Sequence, residues 1–516
     1  MFIFTPVLLK NFMKRILLFG AGKSASVLIE YLVEESRKEA WHLTVVDANE
    51  DLAQQKLHNA PNTIAASFDI ADSTTRKNFI QEASIVISLL PPALHILVAV
   101  DCIACHKNLL TASYIDGDLK KLAPEIEKRN LLFLCEMGLD PGIDHMSAKQ
   151  LIDSIEEQGG KITSFVSHCG GLVAPESDDN PWHYKISWNP RNVVLAGKAG
   201  AVFLQDGEEC VLSHHELFAE RRFTQVRGLE PLCWYPNRDS LSYSHLYGLQ
   251  QCSTFIRTTL RHPDFIYGWK NLIDLNLTDE TIQYKAAGKS LKELFKEHLD
   301  KQNFTHWLEQ QLQSQFFHTK TLLAELLNLA EIEQKAAATN RNTIEELMLV
   351  DEGGDLKEGT LDDLKINAAN ELASRLHDAK LTLKQLFFLG LDDNETRLSK
   401  PVCSAADLLQ VALEKKLALQ HTDKDMVVMK HELEYEHGTE TYRHTSTLLV
   451  KGQDSHHTAM AKTVGLPLGI AAKLILNGTI TCKGLRLPLS KEIYEPVLAE
   501  LRVQGIHFTE EKEQIN

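Results

Sequence analysis

The sequence predicts an α/β protein with a parallel-sheet domain, a mixed α/β domain and an inserted helical domain, and three observations carry that prediction. From Arg15 to Glu136, short apolar runs alternate with helical patterns, and units of this length imply right-handed crossovers and a parallel sheet. After Cys135 the alternation gives way to longer mixed segments, including "MVVMKHELEYEHGTETYRHTSTLLVKG", which reads as an antiparallel hairpin with a glycine turn. From Asp264 to Lys400 there is no proline, and apolar residues recur at helical spacing.

The first unit is "RILLFGAGKSASVLIEYL", Arg15 to Leu32. Ile16 to Phe19 form an apolar run, Gly20, Gly22, Lys23 and Ser24 make a tight turn, and Val27, Leu28, Tyr31 and Leu32 fall on one helical face. The first glycine of such a turn makes the bend, the second lets the backbone approach a pyrophosphate, and the helix N-terminus offers free N–H groups. The third glycine of the usual dinucleotide fingerprint is absent, and Ala25 and Ser26 supply small residues instead. A second strand, "HLTVVDAN", ends in Asp47, the place for an acid that binds the adenosine ribose. That acid would repel a 2'-phosphate, so the expected cofactor is NAD rather than NADP. The strand "ASIVISLLPP" breaks at Leu90 and Pro91, and "LLTAS" and "LLFLCE" continue the rhythm. Together these describe a Rossmann-type domain over residues 13–138, with ligand at the carboxyl ends of its strands.

The chain has 516 residues, enough for two to four domains. Its 44% hydrophobic and 24% charged residues describe an ordinary soluble protein, and the net charge of -16 argues against a nucleic-acid partner. No stretch approaches about 20 uninterrupted apolar residues, so no membrane partner is expected. The opening "MFIFTPVLLKNFMKR" places its basic residues after the apolar ones, unlike a secretory signal, so translation from Met13 or a loosely ordered tail is expected. Nine scattered cysteines read as reduced thiols in a cytoplasmic protein. "CIACH" at Cys102 to His106 matches haem attachment in form, but its apolar helical setting reads as packing. No metal site is expected.

Two later stretches carry chemistry. "CEMGLDPGIDHM" places Glu136, Asp140, Asp144 and His145 just after a parallel strand, with Asp-Pro-Gly turning Asp140 away from the sheet. A carboxylate there can bind a substrate amine or relay protons, while Asp144 and His145 read as turn and cap. The segment Arg221 to Arg261 holds six arginines, no lysine and only two acids. Arginine binds carboxylate through a planar fork, so a polycarboxylate ligand is expected, with Arg238 and Arg261 the foremost candidates.

"TASYIDG", "GLDPGIDHM", "CGGLVAPESDDNPWHYKISW", "YPNRDS", "TTLR" and "HTAMAKTVGLPLGIAAKLILNGTI" together resemble the saccharopine dehydrogenase family of the L-glutamate-forming kind. The similarity runs from about residue 14 to the C-terminal end and is weakest in the helical block. It implies a mixed domain at 139–275 plus 425–455 that binds substrate and forms a homodimer, a helical insertion at 276–424, and a C-terminal 456–516 that returns to the first domain. It implies interconversion of saccharopine with 2-aminoadipate 6-semialdehyde and glutamate through a nicotinamide cofactor. It also implies substrate contacts at Ser113, Tyr114, Asp140, Trp188, Arg238, Thr259, Leu260 and Arg261, and cofactor contacts at Leu90, Pro91, Leu139, Asp140 and Pro141. Tyr114, Asp140, Glu136 and Cys169 are the ionisable candidates for proton transfer. Two departures stand out: His262 follows "TLR" where the family has tyrosine, and His457-Thr458 stand where it has serine. A related imine reductase of the carboxynorspermidine or homospermidine type, and a cofactor-binding sensor without turnover, remain alternatives.

Overall fold

The computed structural model describes residues 13–313, 317, 320, 347–350, 356–359 and 361–515. The expectations for residues 1–12 and, residue 320 apart, for the helical pattern at 318–337 therefore lie outside the described residues.

The first sheet is built from β1 (Arg15–Phe19), β2 (His42–Val46), β3 (Thr63–Ala66), β4 (Ile85–Ser88), β5 (Asn108–Thr111) and β6 (Leu132–Leu134), with Gly484–Arg486 as a seventh strand. Their order is Gly484–Arg486, β6, β5, β4, β1, β2, β3, every neighbour parallel. β1 and β4 meet at the centre, where the order reverses. Their apolar runs follow from burial on both faces: Ile16, Leu18, Ile85 and Ile87 enter one core, and Leu17, Phe19 and Val86 the other. α1 (Ser26–Glu39) follows β1 and α2 (Glu50–Leu57) follows β2, the latter capped by Asn49, whose side chain accepts from Leu52 N.

The C-terminal part returns to this domain. Ala459–Leu476 has the length and apolarity of a membrane span, with mean hydropathy 1.5, but it packs on α1. A Cβ at Gly465 would come within 2.9 Å of Leu28 Cβ, so the two backbones approach closely. The helix begins at Thr458, whose hydroxyl accepts from Ala461 N at 2.9 Å, and Asp425 accepts from Ala459 N and Met460 N. Thr458 thus supplies the hydroxyl cap that a serine would.

The second sheet is mixed. Its central strand, Lys161–Val173, pairs parallel with Thr254–Arg261 and antiparallel with Asp425–His437, which turns into Glu440–Lys451. Thr509–Gln514 adds to that hairpin's far edge. The described helices of the 276–424 region share one core with this half: Trp182, Tyr184, Phe265 and Trp269 pack with Leu291, Leu294, Leu386, Leu408 and Leu409.

Candidate active site

The turn after β1 has the features of a phosphate cradle. Gly20 takes φ +102°, its N–H donates to Val46 O at 2.8 Å, and a Cβ there would lie 2.8 Å from Leu89 O. Glycine is required on both counts. Nothing lies within 4 Å of where a Cβ on Gly22 would stand, and the helical turn Lys23–Ala25 and α1 that follow start with no side-chain cap. Open space before uncapped N–H groups fits a pyrophosphate. Residues Gly20, Gly22, Lys23 and Ser24 therefore suit a nicotinamide dinucleotide, with Leu90 and Pro91 on the neighbouring loop after β4. Lys56 Nζ donates to Gly22 O at 2.6 Å, and burial pushes its ammonium down to about 8.

The segment after β6 forms the other wall. Asp140 and Pro141 are joined by a cis peptide, and the turn feeds the helix Ile143–Glu157. Leu139 is buried beneath it. Tyr114 OH donates to Asp140 Oδ1 at 3.1 Å, and Arg257 Nη2 donates to Asp140 Oδ1 at 2.6 Å and to Asp144 Oδ2 at 2.8 Å. Arg257 is buried and stands over the Tyr243 ring, 4.3 Å from its centroid. One guanidinium neutralises only one of two buried carboxylates. Burial works against charge on both. The His145 ring, Arg257 and the Gly142 N–H nevertheless hold Asp144 low, while burial and the Asp144 charge outweigh Arg257 and push Asp140 up.

Glu136 is buried at φ +57°, an uncommon conformation for a side-chain-bearing residue. Its Oε1 accepts from Ile115 N, and its Oε2 meets His145 Nε2 at 2.8 Å and Tyr243 OH at 3.3 Å. His145 Nδ1 in turn meets Tyr247 OH at 2.6 Å. Glu136 is thus occupied in holding His145 and Tyr243 in place. Ser113 Oγ lies 2.8 Å from His95 Nε2, whose Nδ1 meets Ser88 Oγ at 2.8 Å, and burial takes the His95 ring down to about 4.

Arg238, also left-handed at φ +53°, stands over the Tyr114 ring at 5.3 Å. Arg261 is buried over Tyr184 at 5.2 Å, its Nη1 donates to Leu260 O, and its Nε is buried without a protein partner. Trp188 Nε1 donates to Tyr184 OH at 3.1 Å, so this tryptophan sets the ring beneath Arg261. Cys169 lies opposite Thr259 in the strand register, and its thiol is pushed well up by burial and then by the nearby Asp140 charge. It is a neutral thiol, not a thiolate. Tyr114 and Asp140 thus meet at Arg257, the exposed Arg238 lies over Tyr114, Cys169 is near enough to feel the Asp140 charge, and Arg261 stands on the same strand face four residues beyond Arg257. Leu260 is the exception: alternation turns its side chain to the opposite face, into a core with Leu172, Val226 and Val428, leaving only its backbone on the site side.

Arg257, Tyr243, Asp144 and His145 form the centre of this network, and sequence reasoning did not choose them. Arg257 was among the six arginines of the lysine-free segment. Two-residue alternation in "TFIRTTLR" places it on the face of Thr259 and Arg261, a signal that would have found it.

Two family models match the chain: the saccharopine dehydrogenase NADP binding domain over residues 16–134 and the saccharopine dehydrogenase C-terminal domain over residues 138–506. The saccharopine dehydrogenase [NADP(+), L-glutamate-forming] of Saccharomyces cerevisiae is 32% identical over 96% of this chain and 99% of its own. The mitochondrial alpha-aminoadipic semialdehyde synthase of Bos taurus is also 32% identical over 96% of this chain, which spans 47% of that protein. The solved structure of apo saccharopine dehydrogenase (L-Glu forming) from Saccharomyces cerevisiae superposes with a TM-score of 0.75 at 28% identity, covering 97% of this chain and all of that one.

These matches correct the expectation of NAD: the matching nucleotide domain is an NADP binding domain, and the yeast relative is named for NADP(+). The geometry shows why Asp47 misled. Its Oδ2 accepts from Ala21 N at 2.7 Å and its Oδ1 from Asn49 N at 2.9 Å, so the carboxylate braces the glycine turn from within. An acid already bound to the protein's own N–H groups is a poor guide to what the ribose carries. By sequence, nucleotide-domain match and fold, the chain belongs to the saccharopine dehydrogenase family.

Proposed function

We propose that this chain interconverts saccharopine with 2-aminoadipate 6-semialdehyde and L-glutamate, using NADP. The observation that carries this reading is the meeting of Tyr114, Asp140 and Arg257 with Arg238 and Arg261 where the Rossmann domain faces the mixed sheet. Saccharopine has three carboxylates and a secondary amine. Two arginine forks and a buried carboxyl complement such a molecule, and ligands commonly lie between domains.

Gly22, Lys23 and Ser24 would hold the cofactor's pyrophosphate at the start of α1, and Lys56, whose Nζ is bonded to Gly22 O, would meet the 2'-phosphate. When bound, NADP supplies the acceptor for hydride from the carbon beside the substrate amine. Burial raises the proton affinity of Asp140, so its carboxylate is the base that takes the proton of the secondary ammonium; once hydride has left, water adds to the iminium, and Asp140 returns its proton to the nitrogen as the carbinolamine collapses to aldehyde and glutamate. Tyr114 orients that carboxyl by donating to Oδ1, and the His145 ring together with Arg257 keeps Asp144 ionised so that Asp140 is the group that titrates. Arg238 and Arg261 grip carboxylates, with Nε of Arg261 unspent on protein partners. Positioning is the larger part of such catalysis, since no covalent nucleophile is needed. The same reading takes the protein as a cytoplasmic homodimer, which sedimentation and cell fractionation measure.

The test is purified protein with saccharopine and NADP, following reduced nicotinamide by absorbance and glutamate by amino-acid analysis. Equimolar appearance of both is expected. Cofactor reduction without glutamate, or none with saccharopine, would overturn the reading.

A further inference from the structure

Away from Asp140, on the far side of Arg261, three segments bring imidazoles and carboxylates together. His183 lies in the loop before Tyr184, His262 and Asp264 flank the first residue of the helix Pro263–Asp274, and His377 lies on the helix Leu361–Phe388. His183, His262 and Asp264 each offer one ligand atom, and those atoms lie within 4.8 Å of one another. Asp264 Oδ2 is 3.4 Å from His183 Nε2 and 2.9 Å from His377 Nε2. The rings of His183 and His262 stack with centroids 3.8 Å apart.

The second observation concerns what stands behind the cluster. Asp178 Oδ2 holds His183 Nδ1 at 2.6 Å, leaving Nε2 to face Asp264. A carboxylate that fixes one imidazole nitrogen and thereby aims the other is how metal-binding histidines are oriented. Asp178 Oδ1 is buried without a partner, so the carboxylate serves this histidine alone. We propose that His183 Nε2, one ring nitrogen of His262, an Asp264 carboxylate oxygen and His377 Nε2 bind one divalent transition cation of the zinc class. Imidazole and carboxylate in a four-donor set suit zinc, whereas magnesium and calcium take oxygen donors. Tetrahedral donors at zinc stand about 3.3 Å apart, given its usual bond lengths, so closing the set requires the stacked His183 and His262 rings to swing apart until each turns a nitrogen edge to the ion, and the exposed His377 to move in towards them from Asp264. His262 Nδ1 accepts the Asp264 N–H at 3.1 Å; coordination through this nitrogen exchanges that one cap bond for a metal bond.

The cation would tie the loop bearing Tyr184, the strand end bearing Arg261 and the helix Leu361–Phe388 into one unit beside the carboxylate-binding arm. Sequence spacing gives no sign of it, because the donors come from three distant segments. The inference concerns binding alone and stands whether or not saccharopine is the substrate.

The test uses tag-free full-length protein, stripped with a chelator and dialysed. Zn²⁺ is titrated against a chromogenic chelator, and Co²⁺ is added to a second sample for its visible absorption. One equivalent per chain, the strong visible bands of four-coordinate cobalt and a raised thermal midpoint with Zn²⁺ are expected. His262→Tyr and His183→Gln should each weaken Zn²⁺ at least tenfold and abolish the cobalt bands, with far-ultraviolet circular dichroism checking that each variant folds. If either fails to fold, His377→Gln, at an exposed position, takes its place. Absence of stoichiometric binding by the wild type, or wild-type binding by the folded variants, would overturn the proposal.

Discussion

Arg257 and Asp140 are joined at 2.6 Å through a single guanidinium nitrogen, Nη2, which also reaches Asp144 at 2.8 Å. The shared nitrogen does not decide between them: the His145 ring and the Gly142 N–H add to Arg257 at Asp144, which keeps the charge, while burial pushes Asp140 up. Arg257→Lys keeps a positive charge but loses the planar fork and the surface lying over Tyr243. Misplacing a buried catalytic group by about 1 Å costs on the order of 100-fold in rate, so kcat should fall by about that factor. Arg257→Met leaves two buried carboxylates uncompensated and should destabilise the fold by about 3–5 kcal/mol, read by urea unfolding. A lysine variant with wild-type kcat would remove Arg257 from the centre.

The parallel sheet was legible because interior parallel strands must be apolar throughout and their connections must be helical. Ile16 to Phe19 and Ile85 to Ile87 satisfy both conditions. The site was legible where chemistry is local: the Asp-Pro-Gly turn announces Asp140, and the lysine-free arginine segment announces a carboxylate ligand. It was illegible where a role depends on distant partners. Asp144 looks like a turn residue, and its Oδ1 does accept from Gly142 N, yet its other oxygen binds an arginine 113 positions away. Asp47 failed for the opposite reason: its position suggested a ligand, and its carboxylate is taken by Ala21 and Asn49. Thr458 shows a departure that changes little, because a threonine hydroxyl caps a helix much as a serine does.

Arg238 stands over Tyr114, the residue that donates to Asp140. Arg238→Lys replaces the fork with a point charge and should weaken saccharopine binding by about 1–3 kcal/mol, the scale of a charged hydrogen bond. The KM for saccharopine should rise while that for NADP stays level. An unchanged saccharopine KM would take Arg238 out of the site.

Cys169 sits beside the reacting carboxyl but is a different kind of group. Burial and the Asp140 charge keep its thiol protonated, so it offers neither a thiolate base nor a nucleophile. Cys169→Ala should retain kcat and the shape of its pH profile, and alkylating reagents should react slowly with the folded protein. Loss of a limb from the pH profile in that variant would restore Cys169 as a proton carrier.

Lys56 gives a pH dependence whose sign can be worked out. Burial lowers its ammonium to about 8, partly offset by the charges of Asp47 and Glu30, so in the free protein it is mostly charged at pH 7 and mostly neutral at pH 9. A phosphate beside it favours the charged form, so binding draws a proton onto Lys56 once the pH exceeds about 8. Affinity for a ligand carrying a 2'-phosphate should therefore be level below that pH and weaken above it, whereas a ligand without that phosphate should show no such limb. The measurement is NADP dissociation by fluorescence between pH 6.5 and 9.5, with NAD as the control. Lys56→Arg, whose guanidinium remains charged throughout, should flatten the NADP curve, and Lys56→Met should weaken NADP at every pH. Parallel curves for the two cofactors would show that the 2'-phosphate lies beyond the reach of Lys56.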